Sequence, residues 1–140
     1  MISLEHVNVV VKDIPETLAF YQAAFPHWSV RGGGSGEWYG KPRRWVHFGD
    51  DYHYLAFSDH GKRAARDLKG DQVGLAHYAF TVSNLETLIE RLQNAGYPVA
   101  IWGGNDDTQK SVYFIDPNGI EVEFVQYSVD LPELRNQYAD

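Results

Sequence analysis

The chain has 140 residues, of which 44% are hydrophobic and 14% aromatic, enough for one compact core and too many for a disordered chain. Its formal net charge of −7 argues against a nucleic-acid partner, because such partners require a concentrated basic face. Cysteine is absent, which excludes disulfides, thiolate metal sites and cysteine nucleophiles.

Membrane and targeting segments are not expected from the sequence. No apolar run reaches the roughly 18 residues that a membrane span requires. The opening residues, MISLEHVNVVV, lack the basic and apolar regions of a signal peptide. With the absence of cysteine, these features favour a cytoplasmic protein without a membrane partner.

The chain contains an internal repeat. SLEHVNVVVKDI at residues 3–14 recurs as GLAHYAFTVSNL at 74–85, and the shift between His6 and His77 is 77 − 6 = 71 residues. Self-similarity over half a chain indicates two related structural modules. Each copy carries one histidine at the same point of its first strand.

The first copy predicts a strand, a helix and three further strands. Residues 3–12 alternate and are rich in valine, which predicts a strand. Asp13 and Glu16 with Pro15 between them predict a helix start. The expected apolar stripe of the helix is Ile14, Leu18, Tyr21 and Phe25. The three strands are expected near His27–Arg31, Arg43–Gly49 and His53–Ser58.

Two segments of the first copy are expected to lie in loops. The run GGGSG at 32–36 has no following helix to form a phosphate-binding loop, so it predicts a mobile loop beside a pocket mouth. The basic cluster of Lys41, Arg43 and Arg44 is expected to be solvated loop charge.

The second copy repeats the order of elements. Ser83 and Glu86 predict the helix start, and Ala95-Gly96 followed by Pro98 predicts its end. The expected apolar stripe is Leu85, Ile89 and Leu92. Strands are expected at Pro98–Trp102, Ser111–Ile115 and Gly119–Tyr127, with a turn at Asp116-Pro117-Asn118-Gly119 before the last one. Residues 59–73 form a polar connector, and residues 130–138 predict a short amphipathic helix in the tail.

The two-residue period of a strand separates the polar from the apolar side chains. His6 and His77 are expected to lie opposite the faces that pack under the helices. In the last strand, Ile120, Val122 and Phe124 form the apolar face, and Glu121, Glu123 and Val125 the other. An interior carboxylate is costly unless it is paired or bound to a cation. Two imidazoles and one carboxylate are the ligand set of a 2-His-1-carboxylate metal site.

These features resemble the vicinal oxygen chelate superfamily. The paired modules, the two H-x-x-x-x-V strands and the ending DPNGIEVEF carry the resemblance, which covers residues 1–127. Its members include glyoxalase I, extradiol ring-cleaving dioxygenases, fosfomycin-resistance thiol transferases and metal-free bleomycin-binding proteins. The resemblance implies an α+β fold in which two βαβββ modules form an eight-stranded, open barrel-like sheet with helices outside. The single domain would comprise module one (1–58), the connector (59–73), module two (74–127) and a tail (128–140).

The resemblance also implies a metal site. The family's ligands fall on His6, His77 and Glu123, which would hold one divalent ion, Fe, Mn, Ni or Zn. A gap-free alignment of the two copies puts Ala56 opposite Glu123, so the fourth ligand of glyoxalase I is missing. Tyr113, ten residues before Glu123, matches a tyrosine that supports the dioxygenase site, and it could donate a hydrogen bond to a substrate oxyanion.

Several family reactions fit less well. The acid–base histidine of the dioxygenases is missing, since its interval holds Gly104, Asn105 and Asp106. His47 or His53 of the first copy would be the remaining candidates for that role, although strand alternation predicts that both face away from the cavity. The loop GGNDDTQ and a tail without basic residues from 127 to 134 argue against phosphonate binding, because aspartates repel an anion.

The resulting interpretation is a divalent-metal-dependent enzyme that acts on a small substrate with vicinal oxygens. A glyoxalase-like lyase or isomerase is preferred to a ring-cleaving dioxygenase. The alternative is a metal-free protein that binds a small molecule, as bleomycin-resistance proteins do. A homodimer is expected by analogy with the family. The aromatic residues expected to line an apolar pocket are Trp28, Trp38, Tyr39, Trp45, Tyr54 and Trp102.

Overall fold

The computed structural model describes residues 1–138 and separates into two compact units. The first unit spans Met1–Ala64, and the second begins at Ala65. Each unit contains one four-stranded mixed sheet with a helix packed on one face. The predicted α+β fold with two βαβββ modules is confirmed, and the eight strands are arranged as two four-stranded sheets.

The first unit contains one helix and four strands. Its elements are β1 (His6–Val10), α1 (Ile14–Ala24), β2 (Ser29–Trp38), β3 (Lys41–Gly49) and β4 (Tyr54–Ser58). The strand order in the sheet is β1-β4-β3-β2, with β1 parallel to β4 and the remaining pairs antiparallel. The strand predicted over residues 3–12 is therefore shorter at both ends.

The second unit repeats this arrangement and adds a short helix. Its elements are β5 (His77–Thr81), α2 (Leu85–Asn94), β6 (Ile101–Asn105), β7 (Gln109–Ile115), β8 (Glu121–Tyr127) and α3 (Pro132–Arg135). The order β5-β8-β7-β6 matches that of the first sheet, again with the first pair parallel. The tail helix has four residues, fewer than the predicted span. Among residues 1–138, none of the helices is long and apolar enough to cross a membrane.

The strand registers of the two units are equivalent. His6 pairs with Tyr54 and Asn8 with Ala56 in the first sheet. His77 pairs with Glu121 and Ala79 with Glu123 in the second. The shift between the copies is 71 residues for the first strand and 67 (121 − 54) for the last. Ala56 therefore occupies the position of Glu123, as the gap-free alignment expected.

Both helices begin with a side-chain cap. The Asp13 carboxylate accepts a hydrogen bond from Glu16 N at 2.7 Å, as the sequence predicts. In the second unit the cap is Asn84, whose side-chain oxygen accepts from Thr87 N at 3.1 Å, and the prediction of Ser83 is wrong by one residue. Because Asn84 immediately precedes the first helical residue, its amide oxygen reaches the free N–H groups of the first turn.

The buried faces of the helices match the predicted stripes in part. In α1, Ile14 and Tyr21 are buried as predicted, whereas Leu18 and Phe25 are only half-buried. In α2, Leu85 and Leu92 are buried as predicted, and the third buried position is Leu88, with Ile89 half-buried. Several residues satisfy the 3.6-residue period equally well, and the sheet beneath the helix decides which of them it covers.

Aromatic side chains fill the core of the first unit. Tyr21 lies 5.0 Å from Phe57 between ring centroids, and Trp28 lies 4.7 Å from Phe25 and 5.9 Å from Phe48. Trp28 is half-buried and packs against Phe25 and Phe48. The corresponding core of the second unit lies beneath α2. Its buried side chains include Val112, Phe114, Val122 and Phe124.

The glycine run forms part of a strand, contrary to the loop prediction. Residues 32–36 continue β2 after a bulge between Val30 and Gly32, and they pair with β3. A Cβ atom on Gly34 would lie 3.0 Å from the Trp45 indole, so glycine lets that ring lie against the strand. The cluster of Lys41, Arg43 and Arg44 likewise belongs to β3 and not to a loop.

The predicted turn before β8 is present and is held by one carboxylate. Asp116 is buried, and its Oδ1 accepts hydrogen bonds from Asn118 N at 2.8 Å and Ile120 N at 2.9 Å. Gly119 has φ +87°, which a side chain rarely tolerates. The turn sets the start of β8 and thereby the positions of Glu121 and Glu123.

Candidate functional site

The second sheet places one histidine between two glutamates. His77 Nε2 lies 3.5 Å from Glu123 Oε1, and His77 Nδ1 lies 3.5 Å from Glu121 Oε1. The side chain of His77 is 36% exposed, and those of Glu121 and Glu123 are 17% and 14% exposed. The predicted residues His77 and Glu123 are thus together, on the sheet face away from the buried Val122 and Phe124.

Tyr113 belongs to the same cluster. It pairs with Glu123 across β7 and β8, and its ring lies 5.3 Å from the His77 ring in an edge-on arrangement. Burial raises the pKa of Tyr113, and its hydrogen bond to the Glu123 carboxylate raises it further. The phenol therefore keeps its proton at neutral pH and can act as a hydrogen-bond donor.

His6 lies in the first unit. A carboxylate lies next to its Nδ1, the same ring nitrogen that faces a carboxylate in His77. His6 Nδ1 is 2.9 Å from Glu5 Oε1, and the imidazole stacks on Tyr54 with 4.6 Å between centroids. Tyr54 also donates to the same Glu5 oxygen at 3.2 Å. The hydrogen bond from His6 is the main reason that the pKa of Glu5 is lowered.

Each unit by itself supplies fewer than three metal ligands. Within residues 1–138, neither unit groups three His, Asp or Glu side chains in an arrangement that could share an ion. In the second unit the reason is geometric, because Glu121 and Glu123 approach opposite nitrogens of the same imidazole. A cation beside His77 Nε2 would meet Glu123 and leave Glu121 on the far side of the ring.

The first sheet carries its polar side chains on the face opposite α1, which we call the open face. It includes His6 on β1, Tyr54 on β4 and His47 on β3, whose ring lies 4.4 Å from that of Tyr54. The prediction that His47 points away is therefore wrong, since it stacks on the neighbour of His6. Burial is the main cause of the lowered pKa of His47, and nearby positive charges add to it. His53 lies in the turn after β3, 3.9 Å from Asp50.

Cationic side chains also lie on the open face. The Arg43 guanidinium is 4.7 Å above the Trp38 ring, and its Nη1 donates to Ser58 Oγ at 2.6 Å. The Arg31 guanidinium is 4.5 Å above the ring of Tyr54. The sequence did hold a signal for this surface, because Lys41, Arg43, Trp45 and His47 are spaced two residues apart on one strand.

The other predicted pocket aromatics are less enclosed. Tyr39 lies in the β2–β3 turn and is largely exposed, as is Trp102 on β6. An open cleft of about 340 Å³ lies elsewhere in the second unit, between the end of β5 and the tail, where Tyr127 and Arg135 line it. That cleft contains none of the predicted ligands.

Comparisons with known proteins agree on one family. The family model for the Glyoxalase/Bleomycin resistance protein/Dioxygenase superfamily matches residues 3–124. The glutathione transferase FosA of Serratia marcescens is 28% identical over 128 residues, which cover 86% of this chain and 78% of that protein.

Solved structures share the fold at low identity. A glyoxylase/bleomycin resistance protein/dioxygenase domain from Frankia sp. EAN1pec matches with a TM-score of 0.74 and 21% identity, over 91% of this chain and 98% of that one. A mutant of the fosfomycin resistance protein FosX from Listeria monocytogenes matches with a TM-score of 0.71 and 21% identity, over 98% and 100%. That FosX structure is a complex with Mn(II) and a dihydroxypropylphosphonic acid.

Proposed function

Because the chain belongs to the glyoxalase/bleomycin resistance protein/dioxygenase superfamily, we propose that it is a divalent-metal-dependent enzyme acting on a small substrate with neighbouring oxygens. The proposed ligands are His6, His77 and Glu123, and the ion is Fe, Mn, Ni or Zn. The observation that carries the proposal is the approach of His77 Nε2 and Glu123 Oε1 to 3.5 Å on neighbouring strands.

The separation of these two atoms suits ligands of one ion. Nitrogen and oxygen ligands bind first-row ions such as zinc at about 2.0–2.2 Å, which places two ligands about 3.0–3.6 Å apart at ordinary bond angles. A hydrogen bond between them would be shorter, about 2.9 Å. The observed 3.5 Å lies within the range of two ligands of one ion.

Both histidines have the same nitrogen beside a carboxylate. Nδ1 faces Glu121 in His77 and Glu5 in His6. A carboxylate at Nδ1 favours the tautomer with its proton there, which leaves the Nε2 lone pair available to a metal ion. This common arrangement supports assigning both imidazoles as ligands through Nε2.

The remaining groups would orient the substrate. A bound cation would supply Lewis-acid polarisation of the substrate oxygens. Tyr113 donates its one hydroxyl proton to the Glu123 carboxylate and thereby positions that ligand; once Glu123 binds the cation, the same O–H group would turn to an oxyanion that develops on the substrate. The partial exposure of His77 leaves room for the substrate on the same side.

The reaction within the family is assigned in order of fit. A glyoxalase-like lyase or isomerase comes first, although Ala56 stands where a fourth ligand would be. A ring-cleaving dioxygenase is less well supported, because the segment with Gly104 and Asn105 lacks the expected acid–base histidine.

A second candidate is a fosfomycin-resistance type of activity. It is favoured by the similarity to FosA and FosX, which the sequence argument from the GGNDDTQ loop did not anticipate. In that loop, Asp106 accepts hydrogen bonds from Thr108 N and Gln109 N, both at 2.8 Å. These two hydrogen bonds hold the Asp106 carboxylate within its own turn and stabilise its charged form.

Metal content tests the proposal. Elemental analysis of the purified protein should give about one transition-metal ion per chain, and His77→Ala should lose it. His27→Ala is the matched control, because this exposed histidine lies outside both histidine clusters. If the purified protein contains no metal and its affinity for a small molecule is the same before and after chelator treatment, the alternative of a metal-free binding protein is supported instead.

Three assays then separate the enzymes. Oxygen uptake with catechols, isomerisation of a hemithioacetal and thiol addition to fosfomycin each report one reaction. The proposal also includes a cytoplasmic homodimer, and light scattering of the purified chain would test the dimer.

A further inference from the structure

We propose that the open face of the first sheet contains a binding subsite for an oxyanion, a carboxylate, phosphate or phosphonate, centred on the Arg43 guanidinium. The subsite would hold an anionic group of the substrate. That role rests on the proposed function, whereas the binding of the anion can be measured without a metal ion.

Arg43 is held in place but incompletely paired. Its Nη1 donates to the buried Ser58 Oγ at 2.6 Å, and its guanidinium lies over the Trp38 indole. Its Nε is buried and has no hydrogen-bond partner among residues 1–138. Leaving a buried donor of a cationic group unpaired is costly. An acceptor with a negative charge would therefore stabilise Arg43 Nε.

Space for an acceptor exists beside Arg43. Gly36 pairs directly with Arg43 across β2 and β3 and therefore lies on the same face. A Cβ atom at Gly36 would have no heavy atom within 4 Å, and the same is true at Gly32, opposite His47. These glycines, which the sequence analysis assigned to a loop, therefore leave open space over β2 next to the Arg43 guanidinium.

The local charge favours an anion even though the chain is acidic overall. Arg31 lies above Tyr54, and Lys41 precedes Arg43 by two residues on the same strand face. Within residues 1–138, no carboxylate forms an ion pair with either arginine. Burial is the main cause of the lowered pKa of His47; Arg31, His6 and Arg43 add to it, and the Glu5 carboxylate opposes them.

A second buried nitrogen without a hydrogen-bond partner lies near the same indole. The His60 ring is 6.1 Å from the Trp38 ring, and its Nδ1 is buried without such a partner in the described chain. Both buried nitrogens without a partner thus belong to side chains that adjoin Trp38. Arginine suits anion binding better than lysine, because its planar guanidinium matches the geometry of carboxylate and phosphate oxygens.

The experiment uses inorganic phosphate and acetate with chelator-treated protein. Isothermal titration gives the affinity, and two-dimensional NMR follows the Arg43 Nε–H and Trp38 indole N–H signals. In the wild-type chain, one or both anions should bind and shift the Arg43 Nε–H signal. A preference for phosphate would assign a phosphate or phosphonate, and a preference for acetate would assign a carboxylate.

Two variants and one control decide the outcome. Arg43→Gln should weaken anion binding about 10-fold or more, as expected for loss of a charge-assisted hydrogen bond. Arg43→Lys keeps the charge but lacks Nε, and it should also bind more weakly. Arg44→Gln makes the same charge change on the neighbouring residue, which faces the other side of β3, and should change affinity by less than about 2-fold.

Three results would overturn the inference. The first is that neither anion binds. The second is that Arg43→Gln and Arg44→Gln weaken anion binding equally. The third is that Arg43→Lys binds with wild-type affinity while the Arg43 Nε–H signal of the wild-type chain does not shift when the anion is added. Failure of the proposed function would appear differently, as absence of the metal in elemental analysis while the anion still binds at Arg43.

Discussion

Glu121 provides a sharp test of how the metal site is built, because it can be changed without removing a proposed ligand. The Glu121→Gln substitution keeps the size of the side chain and removes its charge. The new amide oxygen could still accept a hydrogen bond from His77 Nδ1, but the amide could equally present its N–H₂ group and favour the wrong tautomer. We expect weaker metal binding with an unchanged fold.

The magnitude follows from the geometry. Two full charges 3.5 Å apart at an effective dielectric constant of about 20 interact by about 5 kcal/mol, which is an upper limit because the metal-bound imidazole is neutral. Carboxylates that support metal-bound histidines contribute about 10- to 100-fold in metal affinity. That range corresponds to about 1.4–2.7 kcal/mol.

Competition with a chromophoric chelator measures this difference directly. Wild type, Glu121→Gln and Glu90→Gln are compared, the last being a charge loss on the exposed side of α2. We expect weakening only in Glu121→Gln, at unchanged denaturation midpoint. If Glu121→Gln binds as the wild type does while His77→Ala has lost the ion, the carboxylate does not orient the imidazole and the tautomer argument is wrong.

Two further predictions concern the second unit. Leu88→Ala should lower the free energy of unfolding in urea by about 2–5 kcal/mol, because Leu88 is 0% exposed. Ile89→Ala, at a half-buried position, should lower it by less than half as much. Equal losses in the two variants would contradict the observed buried face of α2. The two backbone N–H groups that hold the Asp106 carboxylate lower its pKa, so its stabilising effect is present above about pH 4, the range of an unfolded aspartate, and is lost as the pH falls further. Between pH 6 and pH 3 the urea midpoint should therefore fall more in the wild type than in Asp106→Asn, and parallel losses would refute this role.

Local chemistry made much of the fold predictable. Some features depend only on residues a few positions apart and can be predicted from one sequence. These are the Asp13 cap, the turn at Asp116–Gly119 and the alternation in β1 and β8. The duplication added long-range information, because a repeated strand order keeps the same register. The alignment of Ala56 with Glu123 needed no coordinates for this reason.

The proximity of two proposed ligands was predictable for a similar reason, and their surroundings were not. His77 and Glu123 occupy parallel neighbouring strands, so their parity along each strand decided that they share a face. That Glu121 approaches the opposite nitrogen depends on side-chain rotation about a fixed backbone. The periodicity of the sequence contains no information on that rotation.

The amino-acid sequence by itself determined the family, the repeated order of elements and the strand positions of His6, His77 and Glu123. Only the tertiary structure decided that the glycines of β2 form a strand, and that His47 and Arg43 lie on the open face. A glycine run has no strand preference of its own, and its hydrogen bonds come from β3. Likewise, alternation tells which residues of a strand share a face, but pairing with the neighbouring strand sets which face that is.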